Sequence, residues 1–132
     1  MDTGTARLLH LAEAMDNFKE LGKPHGIDKF NIDRFICGSS ACALGLAGLV
    51  PQFISDGLKM TVRREYYGTD PLVEFEFENS YGGHAIAEFF GITVQDVDDL
   101  FYPHIYDPQN DSQTEHEMAA SIRTFVANSA HL

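Results

Sequence analysis

The sequence predicts an α+β fold: one mostly helical domain over residues 1–132, with a single antiparallel β-hairpin packed against the helices. Three observations predict it. Apolar residues recur at helical spacing near both ends of the chain, at Leu8, Leu11, Met15 and Phe18 and again at Met118, Ile122, Phe125 and Val126. Between them, two arms of alternating character flank Tyr67-Gly-Thr-Asp70, the period-two signature of a hairpin. A chain of 132 residues, 44% hydrophobic and with ten Phe and five Tyr, carries enough apolar material for one core.

Thr3-Gly-Thr5 offers capping groups for a first helix running to about Leu21, where Gly22 and Pro24 stop it. Lys29 to Ile36 alternates only in part and reads as a short extended segment leading to Cys37. Ser39 or Ser40 is placed to cap a helix from about Ala41 to Val50. That helix is apolar on every face and is expected to be buried. Its small residues (Ala41, Cys42, Ala43, Gly45, Ala47, Gly48) let neighbouring backbones approach closely. In the hairpin, Leu58 to Tyr66 and Pro71 to Glu78, one face carries Leu58, Met60 and Val62 against Val73, Phe75 and Phe77. The other face carries Lys59, Thr61 and Arg63 against Glu74, Glu76 and Glu78, so opposite charges meet across the strands. A helix from His84 to Phe90 ends at Gly91, and Thr93-Val-Gln-Asp96 is a capping arrangement opening another to Phe101. After a loop with Pro103 and Pro108, Asp111 caps a final helix to about Asn128.

Charge is distributed unevenly. The net charge is −11, and residues 65–132 hold thirteen Asp/Glu against one base, Arg123. Such a surface repels phosphate backbones and anionic lipid, which disfavours nucleic acid and membrane as partners. The longest apolar run, Ala41 to Val50, is too short to span a bilayer. The N-terminal residues lack the pattern of a signal peptide, and two cysteines are too few for a disulfide scaffold, so a soluble cytoplasmic domain is expected.

Both cysteines lie in Cys37-Gly-Ser-Ser-Ala-Cys42. A structural zinc site needs four ligands with a second pair at metal spacing, which the six histidines do not form, so no metal or other cofactor is expected. Cys37 is the candidate catalytic residue: a helix N-terminus just after it would lower its thiol pKa. The letters Cys-Gly-Ser echo papain-like proteases, but Ser40 follows where that family has Cys. Cys42 reads as a small core residue. The pair of short helices around Gly91 has the outline of a helix-turn-helix, yet its second helix offers Gln95, Asp96, Asp98 and Asp99, and carboxylates do not face phosphates. A packed αα-corner is the expected arrangement. His84 and Glu88, one turn apart, could share a proton or a metal.

Cys37-Gly38-Ser39, Cys42, Gly45 and Ala47, with Phe89-Phe90-Gly91-Ile92 and Leu100-Phe101 downstream, resemble a loose group of short bacterial and phage-encoded proteins. Their pattern is Cys-Gly-Thr-x-x-Cys-x-x-Gly-x-Ala, then a Leu-Gly-Leu turn and a Leu-Phe helix end. Ser39 replaces Thr and keeps a hydroxyl, whereas Leu46 stands where those proteins often carry His or Trp. The resemblance implies a shared fold element, the middle helix with the αα-corner, rather than an activity.

The expected function is that of a small acidic, non-enzymatic interaction or regulatory protein acting on a protein partner, with Asp96, Asp98 and Asp99 as contact residues. A Cys37-dependent thiol enzyme and an acidic DNA mimic are the alternatives.

Overall fold

A computed structural model describes residues 3–26, 29–30, 36–37, 40–41, 43–63, 72–101 and 115–129. The architecture is α+β and mostly helical, as the sequence predicts. The first helix, α1 (Thr3–Asp16), breaks at Asn17 and resumes as α2 (Phe18–Gly22) before a 3-10 turn at Lys23–His25. The expected helix to Leu21 is therefore interrupted. Asn17 sits at φ −110° and ψ 29°, and its side-chain amide donates to the Glu13 carbonyl at 3.0 Å. An asparagine that bonds the preceding turn competes with the helical ladder.

Three two-residue strands, β1 (Lys29–Phe30), β2 (Ile36–Cys37) and β3 (Ser40–Ala41), form a small sheet in the order β1-β3-β2. The pairing of β1 with β3 is parallel and that of β2 with β3 antiparallel. Ser40 is thus a strand residue opposite Cys37, not a helix cap.

The middle helix also differs from expectation. It runs only from Ala43 to Ala47 (α3), turns through Gly48 and Leu49, and restarts as α4 (Pro51–Ser55). Pro51 is the cause. A proline inside a helix lacks its N–H and clashes with the carbonyl four residues back, but it suits a first helical position. Val50, the residue before it, is extended at φ −70° and ψ 118°, as a residue preceding proline prefers.

The hairpin pairs β4 (Lys59–Arg63) with β5 (Leu72–Phe77) in the register Met60↔Phe75 and Val62↔Val73, which keeps the apolar positions together. Lys59 stands opposite Glu76 as expected, whereas Arg63 stands opposite Leu72 rather than a glutamate. A third strand, β6 (Ser80–Tyr81), extends this sheet through a two-residue turn, Glu78-Asn79. Both turn residues have positive φ (48° and 71°), the geometry of a type I′ turn.

Helix α5 (Gly82–Phe90) ends at Gly91, whose left-handed φ of 68° closes it, with the Ile92 N–H bonded to the Ala87 carbonyl at 2.9 Å. Helix α6 (Val94–Phe101) follows at once and packs on α5, forming the αα-corner. Helix α7 (Glu115–Ser129) packs along α1. Its stripe is the expected one: Met118 and Ile122 are fully buried, and Phe125 and Val126 are half-buried against the core. Asp111, its expected cap, lies outside the described residues.

The buried residues form one cluster contributed by α1 to α7 and the hairpin, with Phe18, Phe53, Phe89, Phe90 and Phe101 among its largest members. Among the described residues no polar or charged side chain is buried. Arg7 comes nearest. Its guanidinium lies 4.0 Å from the centroid of the Phe89 ring and 5.5 Å from that of Phe77. It donates to the Phe89 carbonyl at 2.9 Å and meets Asp56 Oδ2 at 3.4 Å, tying α1 to the ends of α4 and α5.

Candidate functional site

The αα-corner delivers the acidic residues singled out by the sequence. Thr93 Oγ1 accepts the Asp96 N–H at 3.0 Å, and Asp96 Oδ2 accepts the Thr93 N–H at 3.1 Å. This is the reciprocal capping box expected of Thr93-Val-Gln-Asp96, and it commits the Asp96 carboxylate to starting α6. Thr93→Ala is expected to cost about 0.5–2 kcal/mol, measurable as a lower urea midpoint with an unchanged slope.

Asp98 and Asp99 are placed differently. Val97, Leu100 and Phe101 are the buried residues of α6, so at about 100° per residue Asp99 points outward and Asp98 lies on one flank. Of the three carboxylates, only Asp96 gains from the helix start. Asp98 and Asp99 fall in the second half of an eight-residue helix, where the macrodipole opposes negative charge. Asp99 is steadied by the Gln95 side-chain amide at 3.0 Å. Beside them, Val94 is 38% exposed, one turn before Asp98. A methyl built on Gly83 would lie 3.9 Å from Val94 Cγ1, which brings the start of α5 alongside. Two residues before Gly83, Tyr81 is 65% exposed. The corner thus combines one outward carboxylate, Asp99, and one flanking carboxylate, Asp98, with two exposed apolar side chains.

The thiol candidate gains no support from its placement. Cys37 lies in β2, six residues before α3 begins, and a helix dipole acts only within about the first turn. Its side chain and the whole of Cys42 lie outside the described residues, as does the expectation that Cys42 is buried. Among the described residues no group of three His, Cys, Asp or Glu could hold a metal ion. His84 is exposed, and Glu88 Oε2 accepts the Ser80 hydroxyl. No helix among the described residues is long and apolar enough to cross a membrane.

One polar cluster was not foreseen. Asp16, the last residue of α1, meets His116 Nδ1 at 2.9 Å and Arg123 Nη2 at 2.7 Å, both from α7. An ionised carboxylate only accepts, so Nδ1 carries the proton of this hydrogen bond. The available signal was Arg123, the lone base of the acidic half, but nothing in the sequence placed it beside a residue 107 positions earlier. The cluster acts as a latch between helices. The His116 hydrogen bond, then the Arg123 contacts, hold the Asp16 carboxyl below its ordinary value. A depressed carboxyl pKa contributes stability above the unfolded value of about 3.9 and loses it as pH falls through the folded value. Asp16→Asn is therefore expected to flatten the acid limb of thermal stability below about pH 4. The measurement is melting temperature against pH.

Compared with models of protein families, with curated protein sequences and with solved structures, the chain matches none.

Proposed function

We propose that the protein is a small acidic interaction module that binds a protein partner of basic surface through the corner of α6 and the start of α5. One observation carries this reading. Asp99 stands outward, with half-buried Asp98 on the flank, in the half of α6 where negative charge works against the helix, at a corner that also exposes Val94 and Tyr81. Charge kept at a structural cost beside exposed apolar side chains suits an interface better than solubility. Aromatic and apolar anchors supply affinity, while flanking charges supply selectivity and association rate. The charge of residues 65–132 extends the same field over distances of about 8–10 Å at physiological salt.

The double variant Asp98→Asn/Asp99→Asn separates the two roles. It is expected to leave melting temperature unchanged or slightly raised, because it removes charge opposed to the dipole. Capture of a partner from host lysate is expected to fall, and capture by the unaltered protein to decline as salt rises. A partner retained equally by both forms at every salt concentration would reduce the acidic corner to a solubility device. Binding of duplex DNA at physiological salt would contradict the charge argument.

A further inference from the structure

A second surface shares no residue with the α6 corner. Between α1–α2 and the start of α4 runs an open groove of 560 Å³, within the range of about 300–1,000 Å³ found for binding clefts. Its two walls differ in chemistry. On one, Glu13 and Glu20 stand seven residues apart with Asn17 between them, and all three line the groove. The Glu13 and Glu20 carboxylates are exposed and make no hydrogen bond or ion pair among the described residues. The polar groups beside them are engaged: Asn17 with the Glu13 carbonyl, Gln52 with Asp56 at 3.0 Å, and the His10 ring edge-on to Phe53 at 5.2 Å. The other wall and floor are apolar, from half-buried Leu21, buried Val50 and exposed Pro51. Ile54, three residues beyond Pro51 on α4, is 54% exposed. Among the described residues no lysine or arginine lines the groove.

We propose that this groove docks a cationic amphipathic helix of a partner protein. Two unpaired carboxylates along one wall call for two cationic side chains about seven positions apart, with apolar residues three and four positions between them meeting Leu21, Pro51 and Ile54. A neutral apolar helix would leave both carboxylates beside it without partners and partly desolvated, and an acidic one would be repelled.

The test uses a labelled, helix-forming peptide with lysines seven apart and leucines between, and a second peptide with glutamates in place of the lysines. Binding to the whole protein is followed by fluorescence anisotropy. The lysine peptide is expected to bind and the glutamate peptide not to. Affinity is expected to fall about tenfold for Glu13→Gln/Glu20→Gln and also to fall for Ile54→Asp. All three positions are exposed, so circular dichroism should show these variants folded. The Asp98→Asn/Asp99→Asn protein should bind the peptide as the unaltered chain does. Absence of binding, or equal binding by Glu13→Gln/Glu20→Gln, would overturn the proposal. An equal loss in Asp98→Asn/Asp99→Asn would also overturn it by tracing the attraction to overall charge, and would leave the α6 reading standing.

Discussion

Phe89→Ala is expected to be strongly destabilising. Phe89 is fully buried and its ring meets those of Phe53, Phe77 and Phe90 edge-on at 5.1, 5.0 and 5.1 Å. It is also the platform for the Arg7 guanidinium at 4.0 Å. Truncating a buried phenylalanine costs about 3–5 kcal/mol in lost transfer energy and cavity formation. Edge-to-face partners and a cation over the ring place this residue at the upper end. Against a typical total of about 5–15 kcal/mol, a loss of about 5 kcal/mol removes a third of the stability or more. Urea denaturation measures the loss directly. A cost under about 1 kcal/mol would mean that the phenylalanine cluster repacks freely and is not the centre of the core.

Gly4→Ala carries the second large effect, and its sign is informative. Helix propensity alone favours alanine over glycine by about 1 kcal/mol. The structure predicts the opposite. A methyl on Gly4 would collide with the carbonyl of Phe90, a backbone group at the closed end of α5, with Gly91 directly behind it. The contact is reciprocal, since a methyl on Gly91 would sit 3.6 Å from the Gly4 Cα. Backbone cannot swing aside as a side-chain tip can, so the first turn of α1 must lift from α5. Overpacking of this kind costs about 1–3 kcal/mol, enough to outweigh the propensity gain. A lower melting temperature for Gly4→Ala is the expected result, and a higher one would show that the two helix ends do not touch.

The elements most legible in the sequence were those whose cause is local. The capping box at Thr93 and Asp96, the stop at Gly91, the paired faces of the hairpin and the stripe of α7 all follow from periodicity or from short-range hydrogen bonding. What failed was also local but required weighing one residue against a pattern. Pro51 follows the apolar stretch as a stop signal, but it both breaks that helix early and begins another. Asn17 interrupted a stripe whose apolar spacing continued through it to Phe18. Long-range features left no signal. Gly4 looked like part of a cap, yet its role is set by Phe90, far along the chain. Arg7 covers Phe89 and binds its carbonyl, a placement that no local pattern marks. In the candidate site, the acidic residues of α6 were found by charge counting, but their unequal roles depended on where the helix began and which face the core took.

Photo-crosslinking from position 94 tests the central claim most directly. A photoreactive phenylalanine analogue replaces Val94 in one protein and exposed Thr124 of α7 in another, and each is irradiated with the captured partner. The account predicts a partner adduct from position 94 that fades with rising salt and with Asp98→Asn/Asp99→Asn, and little or none from position 124. An adduct from position 124 with none from position 94 would contradict it, because the partner would then be docked elsewhere on the protein.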